Sequence, residues 1–319
     1  MLNDKKPVSL DMARVLGEVF NTSPQYWMNL DTGYRLWAQA EKSDKEAVAD
    51  IKAQIYERMP IRDMVKKGWL PLTKSAEELV EAVKAFWGWE ALDFGILERE
   101  YQPCLARRST AYNQYNASYA ITWYQMARKK AEELDVPPYR KNLLESLYER
   151  LHTYTPDPAN IRVFLRELGL AGVKFLLLPH LEKTYLDGAA FFSGDNPVVV
   201  YTARYNRLDH FWFTIAHEIA HVLLHLNEQT PFILDDLQDG ERNQLEDEAN
   251  ALAGKQLKHP EIWAFLSPYL HYTPLDKVEE CAVEYGVHPA IVVGKLAHED
   301  KKYFRPMHRY QEKVVGWIG

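Results

Sequence analysis

The chain has 319 residues, 47% hydrophobic and 26% charged, with a formal net charge of −7. This composition fits a globular protein with room for two or three domains and excludes one whose main work is coating nucleic acid. The N-terminus has no apolar signal segment, no run approaches the ~18 apolar residues of a membrane span, and Cys104 and Cys281 read as small buried residues in a reducing compartment, so the expected location is the cytoplasm.

In chain order, residues 1 to about 40 predict two helices. Ser9 suits the N-cap of the first, residues 10–20, whose Leu10, Ala13, Leu16, Val19 and Phe20 form an apolar stripe. Asn21-Thr22-Ser23-Pro24 interrupts the pattern, with Ser23 as the next cap and Pro24 at the first helical position. Trp27, Leu30, Tyr34 and Trp37 follow at helical spacing and are expected to pack a small core. Asn3, Pro7, Val8, Ser9, Asp11, Met12, Ala13, Leu16, Phe20, Thr22, Ser23 and Trp27 fall in a pattern that resembles the second half of the helix-turn-helix domain of HigA-type antitoxins of the XRE class. In that family the recognition helix precedes this run, so residues 1–40 are expected to be a partial helix-turn-helix. Four basic residues (Lys5, Lys6, Arg14, Arg35) are balanced by four acidic ones (Asp4, Asp11, Glu18, Asp31), so DNA binding by this segment alone is not expected.

Residues 41–160 read as a helical connecting region punctuated by Pro60, Pro71, Pro103, Pro137, Pro138, Pro156 and Pro158. A long helix is expected from Arg107 through Leu134, with Tyr112, Tyr115, Tyr119, Ile121, Trp123 and Tyr124 as a packing face. A further helix over 162–171 should end at Gly172, and residues 173–179 should form a buried strand. Residues 188–192 and 197–201 flank Ser193-Gly194-Asp195-Asn196, a hairpin signal.

Residues 211–226 are apolar nearly all round apart from His217, Glu218, His221 and His225. His217 and His221 are four apart and share one helix face, so both imidazoles can grip one metal ion, with Glu218 beside a water on its open position. His225 continues the series. On an unbroken helix, however, eight residues rise ~12 Å, too far for a common metal, so His225 reads as a cap or a group behind the ligands. The third ligand is sought in residues 245–254, a helix with small residues on one face: Glu248 is the expected one and Glu246 its rival. Tyr201, Tyr205, Arg207 and His210 are candidates to stabilise an oxyanion. The acidic loop of Asp235, Asp236, Asp239 and Glu241 lacks calcium-loop spacing and reads as solvated.

Phe213-Thr214-Ile215-Ala216-His217-Glu218-Ile219-Ala220-His221, then Leu224-His225, then Glu246, Glu248, Ala249, Asn250 and Ala253, resemble the signature of the ImmA/IrrE family of metallo-endopeptidases. Leu252 stands where that family has Phe. Residues 186–191, 204–212 and 286–296 resemble the subgroup fused to HigA-type helix-turn-helix domains. The expected fold is α+β and mostly helical, with a small antiparallel sheet packed on the HExxH helix and residues 161–319 forming the metallopeptidase domain. The resemblance implies a gluzincin-like zinc endopeptidase with Zn2+ held by His217, His221 and Glu248 and Glu218 as general base. Its substrate would be a regulatory protein such as a repressor or antitoxin. The alternative is an antitoxin-like transcriptional regulator, or partner-binding module, whose zinc domain does not turn over. Ala282, Gly286 and Ile291 also have helix-turn-helix spacing, but a core-forming helical pair is the expected reading.

Overall fold

The computed structural model describes residues 7–40, 43–97, 116–227, 230–234, 240–270, 272–300, 308–310 and 312–318, with the side chains of 37–40, 43–47, 234, 240–243 and 308 excepted. Cys104, the 107–115 part of the expected long helix, the Trp37 side chain and the acidic loop at 235–239 with the Glu241 side chain lie outside this description. The chain forms two compact units, residues 1–61 with 70–92 and residues 62–69 with 93–319.

In the first unit, α1 (Leu10–Phe20) starts as the sequence predicts: Ser9 Oγ accepts from the Met12 amide at 3.2 Å. It stops at Asn21, which takes the left-handed conformation (φ 48°). α2 (Pro24–Ala40) follows, with Ser23 Oγ accepting from the Tyr26 amide. Trp27 packs on Phe20 and donates its indole N–H to Thr22 Oγ1. The small core expected here closes only in part. Ala13 is buried, but Leu10, Val19, Phe20, Leu30 and Tyr34 are exposed, because two helices packed on each other share one face and leave the outer side of each uncovered. α3 (Ser43–Arg58) and α5 (Ala76–Trp87) pack together, contributing buried Ile55, Leu79 and Val83. α4 (Ile61–Lys66) spans the sequence boundary between the units.

The second unit is α+β and mostly helical, as expected. α6 (Ala117–Glu132) carries buried Tyr119, Ile121, Trp123 and Tyr124, and Tyr124 meets Phe191 edge-on. After α7 (Lys141–Glu149), α8 (Asn160–Leu170) ends before Gly172, whose φ is 85° and where a Cβ would lie 2.5 Å from the Tyr139 backbone. The sheet has strand order β1-β3-β2-β4, with β1 (Lys174–Leu177), β2 (Gly188–Ser193), β3 (Asn196–Tyr201) and β4 (Phe232–Leu234). β2 and β3 form the expected hairpin, with Ser193 opposite Asn196 and Gly194 at φ 63°. β2–β4 is also antiparallel, whereas β1 pairs with β3 in parallel, so the sheet is mixed rather than antiparallel throughout. The reason lies in the connection: β1 has β3 rather than the sequentially next strand as its neighbour, and the chain enters both from the same end.

α9 (Leu208–Leu224) lies against β2 and β3 and against α10 (Gly240–Gln256). Almost every side chain from Leu208 to Val222 is buried, which is why this helix reads as apolar all round. Phe164 and Phe211 each meet Trp212 edge-on, the kind of aromatic pair that adds ~0.5–1.5 kcal/mol beyond area burial. Buried Ala216 and Ala220 on α9, with Ala249 and Ala253 on α10, permit close helix approach. α11 (His259–Leu266), α12 (Leu275–Tyr285) and α13 (Pro289–Glu299) complete the core, and α14 (Val315–Ile318) lies near the end of the chain. Gly286 (φ 61°) ends α12 and His288 caps α13; buried Ala282, Ile291 and Val292 make this pair part of the core. Among the described residues no helix is long and apolar enough to cross a membrane.

Candidate metal centre

α9 brings His217 and His221 onto one face, with Nε2 of one ring 2.9 Å from Nε2 of the other. α10 supplies the third group. Glu246 Oε2 is 3.1 Å from His217 Nε2, and Glu246 Oε1 is 3.5 Å from His221 Nε2. Among the described residues His217, His221 and Glu246 form the group of side chains able to hold a metal ion together. Glu248, the ligand expected from sequence, is not in that group: its carboxylate lies 3.2 Å from His225 Nε2. The helix period explains the correction. Glu246, Ala249, Asn250 and Ala253 recur at i, i+3, i+4 and i+7 and share the face that meets α9, whereas Glu248 points to one side of it.

The donor set fits a cation. His217 Nδ1 lies 3.0 Å from Asn250 Oδ1 and His221 Nδ1 lies 2.9 Å from His225 Nδ1. With each Nδ1 carrying the ring proton, both Nε2 lone pairs face the Glu246 carboxylate. Burial opposes the Glu246 charge, but in the metal-free site a ring N–H from His217 or His221 directed at the carboxylate outweighs it and holds the carboxyl at about 2, so it is ionised. Three lone-pair donors facing one another repel unless a cation or proton lies between them. Donors bonded tetrahedrally at 2.0–2.1 Å stand about 3.3 Å apart, close to the separations seen.

Other contacts fix the frame. The Tyr148 hydroxyl, on α7, donates to the Ala216 carbonyl at 2.7 Å, anchoring α9 one residue before His217. α9 ends at Leu224, and His225 follows it as C-cap with its side chain almost wholly buried. Burial moves the His225 imidazole toward its neutral form, against the opposing hydrogen bond it donates to Glu248. Glu218 is fully buried and its carboxylate lies against Gly188 at the start of β2; a Cβ there would stand 2.3 Å from Glu218 Oε1.

A cleft of about 400 Å3 opens over His217 and Glu246 and is also lined by Tyr185, Arg204 and His210. It shares His210, Phe213, Asn250 and His298 with a neighbouring pocket of about 530 Å3 that reaches His259 and Ile291. His259, stacked on Phe213, is pushed down to about 3 by burial and is therefore neutral. Of the four oxyanion candidates, His210 lines the metal cleft, with Nε2 3.5 Å from Asp187 Oδ2. Tyr201 is buried with its hydroxyl donated to the Tyr205 carbonyl, Arg207 makes a two-point pair with Asp209, and Tyr205 packs against Arg204 and His210. Tyr185 and Arg204 were not singled out from sequence. Arg204 is placed by a 2.6 Å hydrogen bond to the Tyr185 carbonyl, a contact between distant residues that no motif reveals.

Residues 158–296 match the peptidase M78 family profile, described as an IrrE N-terminal-like domain. A 57-residue stretch is 32% identical to an uncharacterized HTH-type transcriptional regulator of Haemophilus influenzae, covering 18% of this chain and 53% of that protein. The chain thus spans about half the length of the curated relative it matches. Residues 158–296 are thus similar to an M78 peptidase domain, and a 57-residue stretch is similar to an HTH-type regulator.

Proposed function

Taking residues 158–296 as an IrrE N-terminal-like domain of the M78 peptidase kind, we propose that this protein is a zinc-dependent metallo-endopeptidase acting on a regulatory protein. The observation that carries the reading is the convergence of two imidazole Nε2 atoms and an ionised carboxylate within 3.5 Å at the edge of an open cleft. His217, His221 and Glu246 are the groups that would hold the ion. Bound there, zinc supplies Lewis acidity toward a peptide carbonyl and makes water a nucleophile near neutral pH. Imidazole and carboxylate donors in a small set with open space beside them suit zinc. Glu218 takes the proton from the attacking water and delivers it to the leaving amine. His210 and Arg204 line the same cleft and offer N–H donors to the substrate carbonyl oxygen. The extended substrate lies along the cleft, with a side chain in the pocket next to it.

The test combines metal content with cleavage. Protein purified and loaded with zinc should hold about one ion per chain and digest an unfolded protein mixture in a chelator-sensitive way. A folded chain that takes up no zinc overturns the reading. The second reading, a regulator whose metal domain does not turn over, is supported by the match to a transcriptional regulator. One zinc per chain with no cleavage of any substrate would favour it.

Gly188→Ala provides a local check on the general base. The added methyl occupies the place of the Glu218 carboxylate, which must move. A displacement of about 1 Å at a reacting group lowers rate by ~10²-fold. Peptide cleavage should fall by about that factor while zinc content stays at the parental value.

A further inference from the structure

We propose that His225 and Glu248 act as a hydrogen-bond relay that fixes the ring of His221, making them positioning residues for the metal. The inference rests on the metal-binding reading above and concerns how its second imidazole is held. His221 turns Nε2 toward His217 and Glu246, and its Nδ1 lies 2.9 Å from His225 Nδ1. His225 in turn places Nε2 3.2 Å from Glu248 Oε2. The other Glu248 oxygen accepts from Gln244 Nε2 at 2.9 Å, so the outer end of the relay is itself held.

The chemistry of the groups sets each proton in turn. An ionised carboxylate only accepts, so the His225 proton sits on Nε2. The neutral ring then has a bare Nδ1, which accepts a hydrogen bond. The donor facing it is His221 Nδ1, so the His221 proton sits there and its Nε2 keeps the lone pair that a metal needs. Glu248 thus determines, through two rings, which nitrogen of His221 is free. His217 reaches the same state through a single contact, Asn250 Oδ1. α10 therefore serves the site three times, with Glu246 at the ion and Asn250 and Glu248 behind the two imidazoles. The relay also accounts for His225 being buried just past the end of α9, where a solvent-facing cap would suffice to end a helix.

The experiment measures zinc affinity by competition with a chromophoric chelator, using the full chain and zinc alone as probe. Loss of a group behind a metal ligand weakens binding ~10–100-fold. His225→Ala should show that loss. His225→Gln should stay within about threefold of the parent, since its amide oxygen accepts from His221 and its amide N–H donates to Glu248. Glu248→Ala should weaken binding about threefold to tenfold, its carboxylate being half exposed. In NMR of the zinc-loaded protein, a slowly exchanging His221 Nδ1 proton should be present in the parent and in His225→Gln but absent in His225→Ala. Parental affinity in His225→Ala overturns the relay. If that variant fails to fold, the other two decide: retained affinity in His225→Gln with weakening in Glu248→Ala supports it, and the reverse overturns it. A parent that takes no zinc instead refutes the metal reading itself, so the two failures are distinct.

Discussion

Glu246→Ala is expected to leave a folded protein that no longer holds zinc tightly, while Glu248→Ala remains loaded when zinc is in excess. Zinc sites bind with ~10–16 kcal/mol of apparent free energy, so loss of one donor among three to four removes roughly 3–4 kcal/mol, or about 10²–10³ in affinity. The fold should survive, because Ala is favoured within a helix and Glu246 occupies a partly exposed position at the edge of the cleft. Far-ultraviolet circular dichroism checks folding, and metal analysis after dialysis against a weak chelator checks the site. The opposite result, with Glu246→Ala loaded and Glu248→Ala empty, would transfer the ligand role to Glu248 and remove the relay with it.

Glu218→Gln should separate binding from chemistry. The amide has nearly the shape of the carboxylate, so it fits the space left by the missing Cβ of Gly188. It is not one of the side chains converging on the ion, so zinc content should remain at the parental level. An amide cannot take a proton from water at neutral pH, and loss of a general base costs typically 10²–10⁴-fold in rate. Cleavage of a peptide substrate should fall by about that factor, with little change in apparent KM. An undiminished rate would remove Glu218 from the mechanism.

These predictions differ in how far they could be read from sequence. The HExxH spacing alone placed His217 and His221 on one face, since a helix of 3.6 residues per turn leaves no other arrangement. The apolar surroundings marked that helix as buried. Local signals were equally direct at Ser9, Ser23, Gly172 and Gly194, where a side-chain cap or a positive φ is set by neighbours in the chain. The core pairing of α12 and α13 was also legible, from the spacing of Ala282, Gly286 and Ile291.

The mostly helical α+β class, the buried HExxH helix and the shared face of its two imidazoles are therefore legible in the chain alone, because each depends on periods and caps within a few residues. Which glutamate completes the set depends on how α10 is rotated against α9, which no local signal in the chain carries. The same holds for the parallel β1–β3 pairing, for the approach of Gly188 to Glu218, and for the path from His221 through His225 to Glu248. Each joins residues far apart in the chain. Their separations of about 3 Å follow from packing two helices and a sheet around Ala216, Ala220, Ala249 and Ala253, not from any local preference of the residues concerned.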